Sequence, residues 1–502
     1  LNDIDHGTSK DSLRSTAVRG GLWTSMQVIV NKATSLVGTL VTMYLLAPDI
    51  FGVAAIATSI LAYVALLPAF TLSDVLLARP IQAQAVMRAA FWLCSMATAC
   101  TVALLMLVGW WTSVAYHDER ILLACAALSV RPIAELVLFI PQTRLRLRLN
   151  FGRMARVDAV AQCAATVVSV AMAAAGAGYL SLLLPQTLAV LARAALYAKG
   201  ATADRPDPGT IGHPWRQLLS DYWMSGLGQY VHGGLLVAPP LVLAAFCDGT
   251  VVGWYATAFA LSTSFNTVVA VSIGLVLQPI FAQMGNDVER QRQAFVRSCA
   301  TVAALAMPVC LCQAACVGPA FALLMPPKWS GAAEFCQLMS AGQAFYFAVN
   351  PAMGLLKAQS RFKAFFTWQA VQFVTVVALM AAAGWASPNP GLAIIAVFSF
   401  YHLIFSPIGI ALCIPRLSGR EKAFSEIFVR PLLASVAAVG PPALAFAWFG
   451  AGPVAQGIAL VVTPSFTLIT YPLLLKRIAP DTYSNFREMS QLLRRKVLGS
   501  AP

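Results

Sequence analysis

Long apolar runs alternate with short, basic connectors along this 502-residue chain. A helix that crosses a bilayer needs roughly 20 consecutive apolar residues. Stretches of about that length, bounded by charge or by Gly/Pro punctuation, occur fourteen times. They cover 20–46, 50–71, 86–113, 121–141, 156–178, 179–198, 220–246, 250–273, 294–325, 331–355, 364–385, 391–415, 432–450 and 454–475. The pattern predicts an all-α polytopic membrane protein of about 14 transmembrane helices. The least distinct boundaries are the near-absent loop after Gly178 and the short span with Gly440, Pro441 and Pro442. The span ending near Met325 is long and is expected to tilt or break at Pro308 or Pro319. Mid-span prolines such as Pro185 and Pro407 are tolerable, because neighbouring helices and polar side chains can satisfy the carbonyls they free. No short apolar stretch with a cleavage site precedes the first span, so no cleaved signal is expected.

Composition agrees. Apolar residues make up 59% and charged residues 11%, against roughly 25% charged in a soluble domain, and the mean hydropathy is +0.73. That much apolar surface excludes a soluble enzyme, a disordered chain and a secreted disulfide scaffold. The net charge is +14, and its distribution matters more than its size. With the N-terminus placed in the cytoplasm, 29 of the 34 Lys and Arg fall in inside segments. Two, Arg120 and Lys328, fall outside, and three lie within spans. This is a positive-inside pattern. It explains the basic charge as an orientation signal with contact to anionic head groups, and no nucleic-acid partner is implied. The eleven cysteines lie in or beside spans without metal-ligand spacing, so no metal site is expected.

The polar connection 199–219 follows six spans and reads as a linker. The expected division is an N-lobe (1–198), this cytoplasmic linker, a C-lobe (220–415), two further spans (416–476) and a cytoplasmic tail (477–502). Two short echoes suggest that the lobes are pseudo-repeats of six helices. DIFGVAAIA (49–57) resembles TVVGWYATA (250–258), pairing Gly52 with Gly253 and Ala55 with Ala256. Leu149-Asn150-Phe151 resembles Ser360-Arg361-Phe362. Duplicated lobes are common in alternating-access transporters.

Charges in hydrocarbon are functional candidates by default. Lys32 lies deep in the first span, with Asn31 beside it and Gln27 about a turn away. Arg131 and Glu135 lie one turn apart in the fourth span, as a candidate site or as a pair that ties helices together. Arg193, in the sixth, either faces a cavity or reaches the head groups. These four carry a net +2, which suits an anion and phosphate in particular. The second lobe offers only neutral polar residues, among them His232 and His402, which read as hydrogen-bonded interior residues or secondary lining. Asp158 reads as a carboxylate at a helix start.

LLAPDIFGVAAIATSIL (45–61), DGTVVGWYATAFAL (248–261) and FALLMPPKW (321–329) resemble helix junctions of Wzx-type oligosaccharide flippases, of the superfamily that also holds multidrug exporters and lipid II flippases. The text after the second helix, FTLSDVLLARP, departs from the acidic or glycine-rich pattern usual there. The resemblance implies movement of an undecaprenyl-diphosphate-linked oligosaccharide across the bacterial inner membrane, for exopolysaccharide or O-antigen synthesis. Polysaccharide polymerase and export proteins are its implied partners, with both termini cytoplasmic. In that picture Lys32, Arg131 and Arg193 hold the diphosphate or acidic sugars, and Glu135 couples to an H⁺ or Na⁺ gradient with no other cofactor. The alternative is a multidrug or small-cation antiporter on the same scaffold. A membrane glycan enzyme is disfavoured, because the expected outside loops are short and no catalytic motif is present.

Overall fold

The computed structural model describes residues 8–65, 80–147, 151–199, 215–264, 288–359, 361–414, 417–449 and 452–484. The predicted apolar stretches fall largely on helix where they are described, and no strand occurs among the described residues. Among the described residues, ten helices are long and apolar enough to cross a membrane, and Pro48–Val64 and Gly233–Phe246 are shorter apolar helices. The chain forms two compact units, Leu1–Gly253 and Trp254–Pro502.

Unit 1 contains α1 (Thr8–Leu45), α2 (Pro48–Val64), α3 (Pro80–Ala115), α4 (Glu119–Leu128), α5 (Val130–Leu147), α6 (Phe151–Ala174), α7 (Leu180–Ala198) and α8 (Trp215–Phe246). The expected span 121–141 is divided at Ser129 into α4 and α5. Pro132 accounts for the division, because it has no N–H for the Leu128 carbonyl four residues earlier. The near-absent loop after α6 closes on two glycines with positive φ, Gly176 (81°) and Gly178 (55°), a conformation other residues rarely adopt.

α1 packs along α6 through small and polar contacts. Gln27 donates to Asp158 at 2.7 Å, Thr34 and Cys163 lie 3.6 Å apart, and a Cβ on Gly38 would overlap the Thr166 methyl. Close approach through small residues replaces the hydrophobic drive that is missing in lipid. A further close approach joins α2 to the start of α9 (249–264). A Cβ on Gly52 would overlap the Gly249 carbonyl, and one on Gly253 would overlap the Pro48 carbonyl. Positions 48 and 249, like 52 and 253, are separated by 201, the spacing of the sequence echo. Each segment thus presents the same two positions to the other, the reciprocity of a two-fold contact.

Unit 2 holds the rest of α9, then α10 (Val288–Leu324), a short 3₁₀ turn (Pro327–Trp329), α11 (Ser330–Ala358), α12 (Phe362–Ala386), α13 (Pro390–Phe400) and α14 (His402–Cys413). It closes with α15 (Leu417–Phe424), a π turn (Ser425–Val429), α16 (Arg430–Phe449) and α17 (Pro453–Ile478). Its core joins Phe295 and Met307 of α10, Phe347 and Leu355 of α11, Trp368 of α12 and Ile427 of the π turn.

α10 runs unbroken through Pro308 and Pro319, where a break was one expectation. The carbonyl that Pro308 leaves without its usual donor is that of Ala304, and it accepts the Tyr471 hydroxyl at 2.7 Å. Pro185 in α7 has the same remedy, because the freed Ser181 carbonyl accepts the Ser169 hydroxyl at 2.6 Å. Both are the side-chain repairs that make proline tolerable in a bilayer.

The helices turn large apolar side chains outward: Val167, Met96, Leu444 and Leu468 are all exposed. Such faces suit lipid and not water. Trp110 and Trp111 near the end of α3, Trp385 near the end of α12 and Trp448 near the end of α16 are exposed as well, at positions that suit the aromatic belt of a membrane interface.

Candidate functional site

Two polar clusters lie inside unit 1. In the first, Arg131 Nε donates to Glu135 Oε1 at 3.1 Å within α5. The pair lines a cavity of about 190 Å³ together with Thr58 of α2 and Cys94, Thr98 and Thr101 of α3. Thr58 and Thr101 already donate to backbone carbonyls, of Ala54 (2.8 Å) and Val64 (3.4 Å). Their oxygens keep lone pairs to offer, so the cavity can accept as well as donate. Both charged side chains are about one third exposed, which leaves them accessible to a ligand that enters the cavity.

The second cluster centres on Asp158. One carboxylate oxygen accepts from Gln27 at 2.7 Å. The other accepts from the Tyr197 hydroxyl at 2.6 Å and lies 3.9 Å from the Arg193 guanidinium. Arg193 also donates through Nε to the Ala189 carbonyl at 3.3 Å. One carboxylate therefore ties α1, α6 and α7 together. Sequence reading placed Asp158 at the beginning of a span. The helix begins at Phe151, so the carboxylate sits two turns inside it and faces other helices. Tyr197, fully buried, was not singled out by sequence at all. The available signal was its place one turn after Arg193, with the sole acidic side chain of α6 to share.

Lys32 and Asn31 lie on the same helix as Gln27. Lys32 is half-buried and has no ion-pair partner among the described residues. The Asn31 side-chain oxygen is buried without a hydrogen-bond partner among the described residues. Adding Asp158 to the four charged candidates reduces their net charge to +1, and that remaining charge belongs to Lys32. The structure brings Arg131 to Glu135 and Arg193 to Asp158. The cavity lined by Arg131 includes neither Lys32 nor Arg193. In unit 2, His402 is buried between tyrosines, its ring 3.8 Å from that of Tyr401 and 4.7 Å from that of Tyr346. His232 falls within α8, and its side chain lies outside the described residues.

A third group of charges lies at the loop before α4. The Asp118 carboxylate caps the helix by accepting from the Arg120 N–H at 2.9 Å. The Arg120 guanidinium binds Asp118 (2.9 Å) and Asp49 at the start of α2 (2.8 Å). Burial pushes the Asp118 carboxyl up, but the hydrogen bonds and charge of Arg120 outweigh it and hold it below its ordinary value.

A fold that is helical throughout its described residues, with lipid-facing walls and charged side chains held inside one unit, defines a multi-pass membrane protein. Solved structures share this fold. The fold is similar to that of the lipid II flippase MurJ in an inward closed conformation, with a TM-score of 0.70 at 12% identity, over 92% of this chain and 99% of that one. It is also similar to an inward-facing multidrug resistance MATE transporter of the MOP superfamily, with a TM-score of 0.60 at 13% identity, over 79% and 96%. The chain belongs to the polysaccharide biosynthesis protein family, whose profile matches residues 43–334. A relative in Rhizobium meliloti (strain 1021), the succinoglycan biosynthesis transport protein ExoT, is 23% identical over 348 residues, 67% of this chain and 68% of that one.

Proposed function

We propose that the protein moves a polyprenyl-diphosphate-linked oligosaccharide repeat unit from the cytoplasmic to the outer leaflet of the bacterial inner membrane, by alternating access, for surface polysaccharide synthesis. The observation that carries this reading is Lys32, a half-buried cation in a membrane helix with no ion-pair partner among the described residues. An unpaired ammonium in hydrocarbon needs an anion, and a diphosphate supplies one with several acceptor oxygens. Family membership makes the glycan carrier the anion of choice.

In this reading Lys32 takes the diphosphate, with the neighbouring Asn31 amide turned toward the same ligand. Arg131 offers a second anion contact when its bond to Glu135 opens, and Glu135 is then free to take up H⁺ or Na⁺ from the driving gradient. Arg193, held near Asp158, serves the same path when that loose 3.9 Å pair separates. Both termini are cytoplasmic, following the charge distribution.

The test is complementation of a strain lacking this chain with Lys32→Ala, Arg131→Ala and the double variant. We expect lost surface polysaccharide and accumulated lipid-linked intermediate, with partial recovery for Lys32→Arg. Normal polysaccharide in all three, with no intermediate, would refute the cavity roles. Drug resistance on overexpression, with no glycan phenotype, would favour antiport of small cations instead.

A further inference from the structure

A groove of about 620 Å³ runs along unit 2 between α12 and α14. Pockets of 300–1,000 Å³ suit small organic ligands. The lining of this groove changes in a fixed order. At one end are Arg361 and Lys363, both exposed. Arg361 donates one guanidinium N–H to the Leu412 carbonyl at the end of α14, at 3.0 Å, and keeps its other donors. Lys363 has no ion-pair partner among the described residues. The N-terminus of α12, with its positive dipole end, lies at the same place.

One turn further along α12 come Thr367 and Trp368. Trp368 is only 6% exposed, and its indole nitrogen is buried without a hydrogen-bond partner among the described residues. Such an orphaned donor is uncommon and asks for an acceptor. Beyond it the walls are hydrocarbon, from Val371, Phe405 and Ile408. Val371 and Ile408 are exposed, on a helix surface that suits lipid.

We propose that this groove is a binding site for an anionic glycerophospholipid. The phosphate sits at Arg361 and Lys363, ester carbonyl oxygens accept from Trp368 and Thr367, and one acyl chain lies along Val371, Phe405 and Ile408. The sequence of cation, donor and hydrocarbon matches that of phosphate, ester and chain. A polyprenyl phosphate fits less well, because below its phosphate it has no acceptor for the indole N–H. The site lies within unit 2 and does not depend on the substrate proposed above.

The test is native mass spectrometry of the purified full chain, equilibrated with phosphatidylglycerol or phosphatidylcholine of identical acyl chains, with polyprenyl monophosphate as competitor. Each cation near a phosphate contributes about fivefold, so we expect phosphatidylglycerol to be preferred by about tenfold to thirtyfold. Lys363→Gln, which spares the Arg361 bond to α14, should remove about fivefold of that preference. Trp368→Phe should weaken retention of both phospholipids several-fold while leaving the charge preference intact. Equal retention of the two phospholipids by the wild-type chain would overturn the proposal. So would an unchanged preference in Lys363→Gln, or displacement of phosphatidylglycerol by equimolar polyprenyl phosphate.

Discussion

Tyr471 shows how a single hydroxyl sustains a membrane helix. It supplies the hydrogen bond that Pro308 denies to the Ala304 carbonyl, so α10 passes the proline unbroken. Removing that donor leaves a buried carbonyl unsatisfied, which costs about 1–3 kcal/mol. We expect Tyr471→Phe to lower the thermal unfolding temperature of the purified protein accordingly. Pro308→Ala should restore the backbone donor and shrink the effect of Tyr471→Phe in a double-mutant cycle. Equal losses in both backgrounds would show that the hydroxyl serves something else. At the loop before α4, Asp118 is held below its ordinary carboxyl value in the folded chain. Its stabilisation is therefore present above about pH 4, near the unfolded value, and fades as the pH falls through the lower folded one. Unfolding temperatures measured from pH 6 to pH 3 should fall more steeply for the wild type than for Asp118→Asn.

Helix pairs depend on small residues at particular heights. Gly253 lies against the Pro48 carbonyl, and a Cβ there meets rigid backbone and not a side chain that can swing aside. We expect Gly253→Ala to destabilise the chain by about 1–3 kcal/mol, the range for overpacking. By comparison Gly440, whose would-be Cβ meets nothing within 4 Å among the described residues, should tolerate alanine, and thermal unfolding of the two variants distinguishes them. The contact also gives the sequence echo a physical meaning, since Gly52 and Gly253 matched in sequence and now face each other's segments. The helices themselves were legible in the sequence because a run of about 20 apolar residues has few other uses. Their interiors were less so. The division at Ser129 needed Pro132 to be read as a missing donor, and α10 stayed whole because of a tyrosine on another helix. Repairs of that kind depend on which helices become neighbours, and periodicity along one helix carries no such information.

For the molecule as a whole, the basic charge separates into two parts. Most of the +14 follows the expected cytoplasmic segments, and a small remainder lies within unit 1. By sequence, Lys32, Arg131 and Arg193 against Glu135 leave a surplus of two cations within the spans. Asp158, seven residues into α6, lies beside Arg193, and Lys32 is left without an ion-pair partner among the described residues. That correction was out of reach from sequence, because it required the start of α6 and the approach of α1 and α7 together. The remaining pair, Arg131 and Glu135, was visible as a one-turn spacing, but its cavity of about 190 Å³ is built by α2 and α3, far earlier in the chain. The central claim is that the chain carries a lipid-linked glycan from one leaflet to the other. Its most direct test is depletion of the protein in a strain that makes the surface polysaccharide, followed by an impermeant glycan-labelling reagent applied to spheroplasts. We expect the lipid-linked repeat unit to accumulate unlabelled until the membrane is opened, and to become labelled in intact spheroplasts when the wild-type chain, but not Lys32→Ala, is restored. Equal labelling with and without the chain would contradict the claim.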